Sequence, residues 1–236
     1  MAGGAAAGLP AASDARDYAR AVLIDAIQWL GHSGFRLTAG RTTIYIDPYR
    51  AGDGPKADAI LITHGHYDHF SPLEVERLSH DRTWVIAPAA VAERLAGRVV
   101  SIAPGEALGE EIAPGVEVAA VAAYNTSKLD ASGKAFHPRE AGWVGYEVRV
   151  RGERLYHSGD TDVIPEMDAV AGADVALLPV SGVYVMTAAD AAEAARRIQP
   201  RIAVPMHWGD HLGTYADAEA FAKRAPVEVR ILEKAA

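Results

Sequence analysis

Thr63-His64-Gly65-His66-Tyr67-Asp68-His69 sets three imidazoles and a carboxylate within six positions, directly after the apolar run Ala59-Ile60-Leu61-Ile62. With nine histidines in 236 residues, three at fixed positions arise by chance in roughly one chain per hundred of this size. Side chains two apart on an extended chain point the same way, so His64 and His66 can meet one ion. Gly65 keeps the loop between them open. Asp68 and His69 are adjacent and therefore diverge, which lets them approach a second ion from another side. Imidazole and carboxylate suit zinc and its neighbours. The pattern predicts two neighbouring metals rather than one.

Outward from this run, the chain reads as strands followed by helices. Strands are predicted over 27–30 with 33–38, 42–47 and 59–63, then over 84–87. Later strands are predicted over 116–123, 143–150, 153–157, 174–180 and 202–205. A helix starts at Ser71-Pro72-Leu73-Glu74, a capping box with proline in the first turn. A short helix over 89–96 ends at Gly97. Another starts at Thr187-Ala188-Ala189-Asp190 and stops before Pro200, and a last one covers 215–224.

The halves echo each other. Gly31-His32-Ser33-Gly34-Phe35 matches Gly142-Trp143-Val144-Gly145-Tyr146 at an offset of 111 positions, and the same offset sets Ile44-Tyr45 on Leu155-Tyr156. Ala57-Asp58-Ala59-Ile60-Leu61 matches Ala173-Asp174-Val175-Ala176-Leu177 at an offset of 116. Two strand-rich halves, each closed by helices, predict an α/β layered fold: two sheets face to face with helices outside. The halves share one core, so residues 25–236 are expected to form one domain. Residues 1–24, Ala- and Gly-rich at their start, are expected to be a flexible tail.

Composition narrows the function. Half of the residues are apolar, enough for a sizeable core. The net charge of −8 argues against a nucleic-acid surface. No cysteine is present, which removes disulfides, thiolate metal sites and cysteine nucleophiles and fits a reducing, cytoplasmic setting. No segment reads as a secretory signal or a membrane span. A Gly-x-Ser-x-Gly elbow and a phosphate-loop Gly-Lys-Ser/Thr pattern are both lacking.

Further ligands must come from elsewhere. Asp160, in Gly159-Asp160-Thr161-Asp162, and His207, in Pro205-Met206-His207-Trp208-Gly209, each stand where a predicted strand opens into a loop. A carboxylate that bridges two cations lowers their mutual repulsion, and Asp160 is assigned that role.

His64-Gly65-His66-Tyr67-Asp68-His69, with Asp160 and His207 later in order, resembles the metallo-β-lactamase superfamily over roughly residues 27–236. Trp29-Leu30-Gly31-His32, Ile46-Asp47-Pro48 and His157-Ser158-Gly159-Asp160-Thr161 are similar to its small stand-alone hydrolases, related to ascorbate-6-phosphate lactonases and N-acylphosphatidylethanolamine phospholipases D. The resemblance implies an αββα sandwich with a dinuclear site at one edge. One departure stands out. The superfamily usually places a third histidine of the first site after a strand like 116–123, and here Asn125 stands in that place. His137 is the one histidine between the strand over 116–123 and the next strand pair, so the 126–140 loop is expected to fold back and deliver it; the alternative leaves His137 on the surface, with Asn125 or water in that place.

Asp47 and His32 are expected beside the site, holding outer N–H groups or lying over it. His80 and His157 are expected to be structural; His211 is expected on the surface, with substrate contact as its alternative, and Tyr184 is expected to pack, with the cleft as its alternative. The expected activity is hydrolysis of an ester, lactone or phosphodiester in a small-molecule substrate. A hydroxide activated by two divalent ions, zinc first, with manganese or iron also admitted, would attack, and Asp68 would orient it. β-Lactam opening is a further candidate, set back by the lack of a secretory signal. The rival class is a metal-binding or ligand-sensing protein without turnover. The sequence carries no signal for oligomeric state.

Overall fold

The computed structural model describes residues 23–110, 112–210 and 212–235. The first sheet has six strands in sequential order: β1 (Ile27–Gly31), β2 (Gly34–Ala39), β3 (Thr42–Ile46), β4 (Ala59–Leu61), β5 (Trp84–Ala87) and β6 (Arg98–Ser101). The second has seven: β7 (Ala107–Leu108), β8 (Val116–Ala122), β9 (Val144–Val150), β10 (Glu153–His157), β11 (Val175–Pro179), β12 (Ile202–Met206) and β13 (Glu228–Val229). In the first sheet β1, β2 and β3 pair antiparallel, after which β4, β5 and β6 run parallel. The second sheet repeats that order. β8, β9 and β10 are antiparallel, β11, β12 and β13 follow parallel, and β7 adds one short edge. The internal echo of the sequence is thus matched element by element in topology.

Helices supply the crossovers that parallel pairing demands. Helix α1 (Pro72–Leu78) joins β4 to β5, and α3 (Ala188–Ile198) occupies the same place between β11 and β12. α2 (Ala89–Ala92) and α4 (Tyr215–Arg224) follow. Thr187 and Asp190 close α3 with a reciprocal capping box. At α1 the expected box is only half formed. Ser71 accepts from the Glu74 N–H, while the Glu74 carboxylate turns to Arg77. Gly97 does take a left-handed φ, but α2 stops at Ala92, short of the predicted 96. The sequence reading missed β6, β7 and β13. They are short edge strands with little apolar alternation, so pattern offers no signal.

One apolar cluster takes side chains from both sheets, among them Phe35, Ile44, Ile46, Tyr146, Val148, Leu155 and Leu177. A smaller one lies on the outer face of the first sheet under α1 and α2, with Ile60, Ile62, Val75, Leu78 and Val91. Leu23 and Ile24 belong to the main cluster, each 2% exposed. These two fall within the tail expected over 1–24, yet they pack just before β1; the other residues of that span lie outside the described residues. The Tyr146 hydroxyl, on β9, donates across to the Ile62 carbonyl at 2.8 Å, with the Ile86 carbonyl 3.2 Å away. That bond ties the second sheet to the first, one turn of chain before the histidine motif.

Candidate metal centre

Apart from His137, which a loop delivers, the predicted ligands and their neighbours follow the C-terminal ends of strands, the edge where parallel sheets gather functional groups. His32 follows β1, Asp47 follows β3, the motif follows β4, Asp160 follows β10, and His207 follows β12. His32, Asp47 and His207 all carry positive φ, of 51°, 46° and 60°. Backbone held in this sparsely populated region clusters at functional sites. Gly159 precedes Asp160 at φ 62°; a Cβ there would lie 2.7 Å from the Val144 carbonyl oxygen, so glycine permits the turn.

The buried Asp160 carboxylate is the meeting point. Nε2 atoms of His137 and His207 each lie 3.2 Å from Oδ2, with that of His64 at 3.9 Å. His69 Nε2 lies 3.3 Å from Oδ1. His64 Nε2 and His66 Nδ1 are 3.1 Å apart, aimed at the same space.

The outer nitrogens are held in turn. The Thr63 hydroxyl donates to Asp47 at 2.6 Å, which leaves its oxygen to accept from His64 Nδ1 at 3.0 Å. Asp47 also accepts from His69 Nδ1 at 2.7 Å and from the Thr63 N–H at 2.8 Å. Ser181 Oγ contacts His207 Nδ1 at 2.9 Å. Asn125 Oδ1 accepts from His137 twice, from the backbone N–H at 2.9 Å and from Nδ1 at 2.8 Å. The Asn125 amide is fixed by donating to the Tyr184 carbonyl at 3.0 Å and to Asp162 at 3.3 Å. Asp162 gathers the loop by accepting from the backbone N–H groups of Thr126 and Ser127 at 2.8 and 2.7 Å. Such partners fix ring orientation and leave the inner nitrogen as a lone pair.

The loop fold-back expected for His137 is present. Asn125, at the position where the superfamily usually carries histidine, holds the imidazole that arrives from twelve residues downstream. His32 contacts Asp68, its Nε2 3.0 Å from Oδ2, and its ring lies 4.0 Å from that of His207. Trp143 packs against His64, His66 and His137, with ring centroids 4.9, 4.8 and 5.5 Å away. His157 is structural as expected, with Nε2 2.9 Å from the Ser33 carbonyl. His211 lies outside the described residues. Tyr184 packs on Phe136, as expected, and also lines the cleft over the cluster.

Sequence reading missed Thr63, Ser181, Asp162 and Trp143. Thr63 and Asp162 sat inside quoted motifs, so their hydrogen-bonding side chains were available as a signal. Ser181 and Trp143 gave none.

Electrostatics sharpen the picture. Burial opposes ionisation of Asp160, but the charges of His207 and His69, with the His137 ring also in contact, hold its carboxyl well below the ordinary range. Burial likewise opposes Asp68, and the hydrogen bond from His32 with the charge of His69 outweighs it, again lowering the pKa. Burial, then the neighbouring His69, keeps His64 far below an ordinary histidine. His69 goes the other way: burial is overcome by the carboxylates of Asp160 and Asp47, which raise it well above 6.5.

The donor set fits cations. His69 Nε2, His137 Nε2 and Asp160 Oδ1 are buried without a hydrogen bond of acceptable geometry, although buried polar atoms are nearly always paired. Donor atoms of His64, His66 and His137 lie within 4.8 Å of one another, as do those of His32, Asp68, His69 and His207. These are two adjacent groups that could each hold an ion, with Asp160 between them.

A sequence profile described as the beta-lactamase superfamily domain matches residues 26–207. The chain belongs to the β-lactamase superfamily. Within that superfamily it is 34% identical to a UPF0173 metal-dependent hydrolase of Aeropyrum pernix, over 88% of this chain and 94% of that protein. A second UPF0173 metal-dependent hydrolase, from Opitutus terrae, is 33% identical over 84% and 91%. Among solved structures, a Parabacteroides distasonis protein provisionally called a metal-dependent hydrolase superposes with TM-score 0.75 at 35% identity, covering 88% of this chain and 93% of that one. A metallo-β-lactamase fold protein of Bacillus subtilis, only 14% identical, matches with TM-score 0.66 over 88% and 95%, a likeness of fold. This β-lactamase superfamily chain has the layered α/β architecture that its sequence predicts.

Proposed function

We propose that the protein is a metal-dependent hydrolase whose two divalent ions, zinc first, cleave an ester, lactone or phosphodiester bond. One observation carries the reading: imidazoles from three separate loops converge within 4 Å of a single buried carboxylate, Asp160. His64, His66 and His137 would hold one ion, and Asp68, His69 and His207 the other. Asp160 would face both and offset their repulsion. When bound, such ions lower the pKa of a water and stabilise the oxyanion that forms on the substrate.

The chain's own residues do the rest. Asp47, Thr63 and Asn125 hold their rings in one tautomer each, and Ser181 orients that of His207. Asp68, fixed by His32 on the cleft floor, orients the attacking water and accepts its hydrogen bond. The relatives' name, metal-dependent hydrolase, supports this reading. The alternative, a metal-binding or ligand-sensing protein without turnover, leans on the displaced third histidine; the grouping of His137 with His64 and His66 favours the hydrolase.

Metal analysis of the unsupplemented protein, read beside p-nitrophenyl ester and phosphodiester turnover, tests the proposal. About two ions per chain are expected, with activity lost in chelator and restored by zinc or manganese. A fully loaded, folded protein with no turnover across both probe classes would overturn it.

A further inference from the structure

We infer that the cleft over the cluster receives the uncharged, apolar side of a substrate, which makes the reaction hydrolysis of a neutral carboxylic ester or lactone in preference to an anionic phosphodiester. The inference rests on the hydrolase reading above and narrows it.

The cleft encloses about 340 Å³, at the small end of the range for ligand pockets. Its floor is the His/Asp cluster, including the carboxylates of Asp68 and Asp160. Its walls are apolar. Phe136 and Tyr184 meet edge to face with ring centroids 4.7 Å apart, and Leu212 and Tyr67 line the remaining rim. Tyr184 is 38% exposed and Tyr67 is 68% exposed. Aromatic rings left partly open beside a reacting centre supply binding area that a substrate can cover. Among the described residues, no lysine or arginine lines the cleft. Arg50, outside that lining, lies over the Tyr49 ring and 4.0 Å from Asp210. A phosphodiester carries its charge into the transition state, and with no lysine or arginine among the described residues of the cleft wall that charge would fall to the ions alone, beside the carboxylates of Asp68 and Asp160. A neutral acyl group needs only the ions at its carbonyl and an apolar wall for its chain.

In the proposed step the water oxygen bonds to the acyl carbon and the acyl C–O bond breaks. One water proton leaves with the alcohol, and the acid keeps the hydroxyl. The wall formed by Phe136 and Tyr184 holds the acyl chain throughout and takes no part in the proton movements.

The test uses the full chain loaded with zinc and a series of p-nitrophenyl acetate, propionate and butyrate, beside bis-p-nitrophenyl phosphate. kcat/KM should rise about fourfold per added methylene, the ratio expected for burial of one CH2. The phosphodiester should fall at least tenfold below the butyrate. Tyr184→Ala should flatten the series to less than twofold per methylene, while Tyr184→Phe should keep it. A flat series in the parent protein, or faster turnover of the phosphodiester, overturns the inference and leaves the hydrolase reading standing. If neither class is hydrolysed, the hydrolase reading fails, and equilibrium binding of 4-phenylbutan-2-one, followed by NMR, still reads the cleft. A Kd at least tenfold weaker in Tyr184→Ala supports the apolar wall; an unchanged Kd refutes it. Circular dichroism on each variant separates loss of binding from loss of fold.

Discussion

Asn125→Ala removes one side chain and four hydrogen bonds. Two of these hold His137, and the others reach the Tyr184 carbonyl and Asp162. The His137 N–H is buried and would be left without its acceptor. Leaving a buried group unpaired costs about 1–3 kcal/mol, so the urea midpoint should fall by that amount divided by the m-value. The imidazole would also lose the acceptor that fixes its Nδ1 proton. Loss of such an outer partner weakens metal binding by about 10- to 100-fold.

The structure adds that the loss is lopsided. His137 groups with His64 and His66, whereas His207, His69 and Asp68 are held separately by Ser181, Asp47 and His32. Competition titration with a chromophoric chelator resolves the two binding steps. One step should weaken by about 10- to 100-fold, and the other by less than about threefold, a free-energy change of under about 0.7 kcal/mol. Ser181→Ala should reverse the pattern. Equal weakening of both steps in Asn125→Ala, or none, would show that His137 does not belong to one ion's site.

Three further outcomes follow from the same structure. Burial opposes ionisation of Asp190, but hydrogen bonds from Thr187 and the charge of Lys128 depress its pKa, so its capping contribution is present above the ordinary carboxylate range and lost as pH falls through the lowered value. Asp190→Ala should therefore cost about 1 kcal/mol at pH 7 and less in acid, read by denaturation at both pH values. In metal-free protein, His69 has a raised pKa, so its stabilisation is complete below pH 6.5 and disappears as pH climbs through the raised value. The melting temperature of chelated protein should fall on alkalinisation, and zinc loading near neutral pH should release about one proton from this ring, measured by calorimetry in buffers of different ionisation heat. A Cβ at Gly145 would sit 2.6 Å from the carbonyl oxygens of His157 and Ser158; Gly145→Ala should cost at least about 1–3 kcal/mol, and an unshifted urea midpoint would refute that packing.

What sequence alone revealed tracks how local each feature is. His64, His66, Asp68 and His69 fall within six positions, so their chemistry is written in one window. The core strands declared themselves through apolar runs. Asp160 and His207 were legible because each ends a strand, and His137 because histidines are scarce in its stretch. Ser181 was hidden because a serine gains its role only from a histidine 26 residues away. Trp143 looked like part of a repeated strand and turned out to back three imidazoles. Tyr184 offered both packing and the cleft from its place in the loop equivalent to the motif, and it does both. Leu23 and Ile24 were grouped with a small-residue tail, although their bulk alone marks them as material for an interior.

The cluster draws on both halves of the chain: His32, Asp47 and the motif from the first, His137, Asp160, Ser181 and His207 from the second. Ions seated there would act as rivets across the seam between the sheets. At a free concentration one hundred times its Kd, a single such ion adds about 2.7 kcal/mol to folding. Scarcity of metal would then shorten the lifetime of the polypeptide itself, and a protease would register the shortage as readily as a kinetic assay.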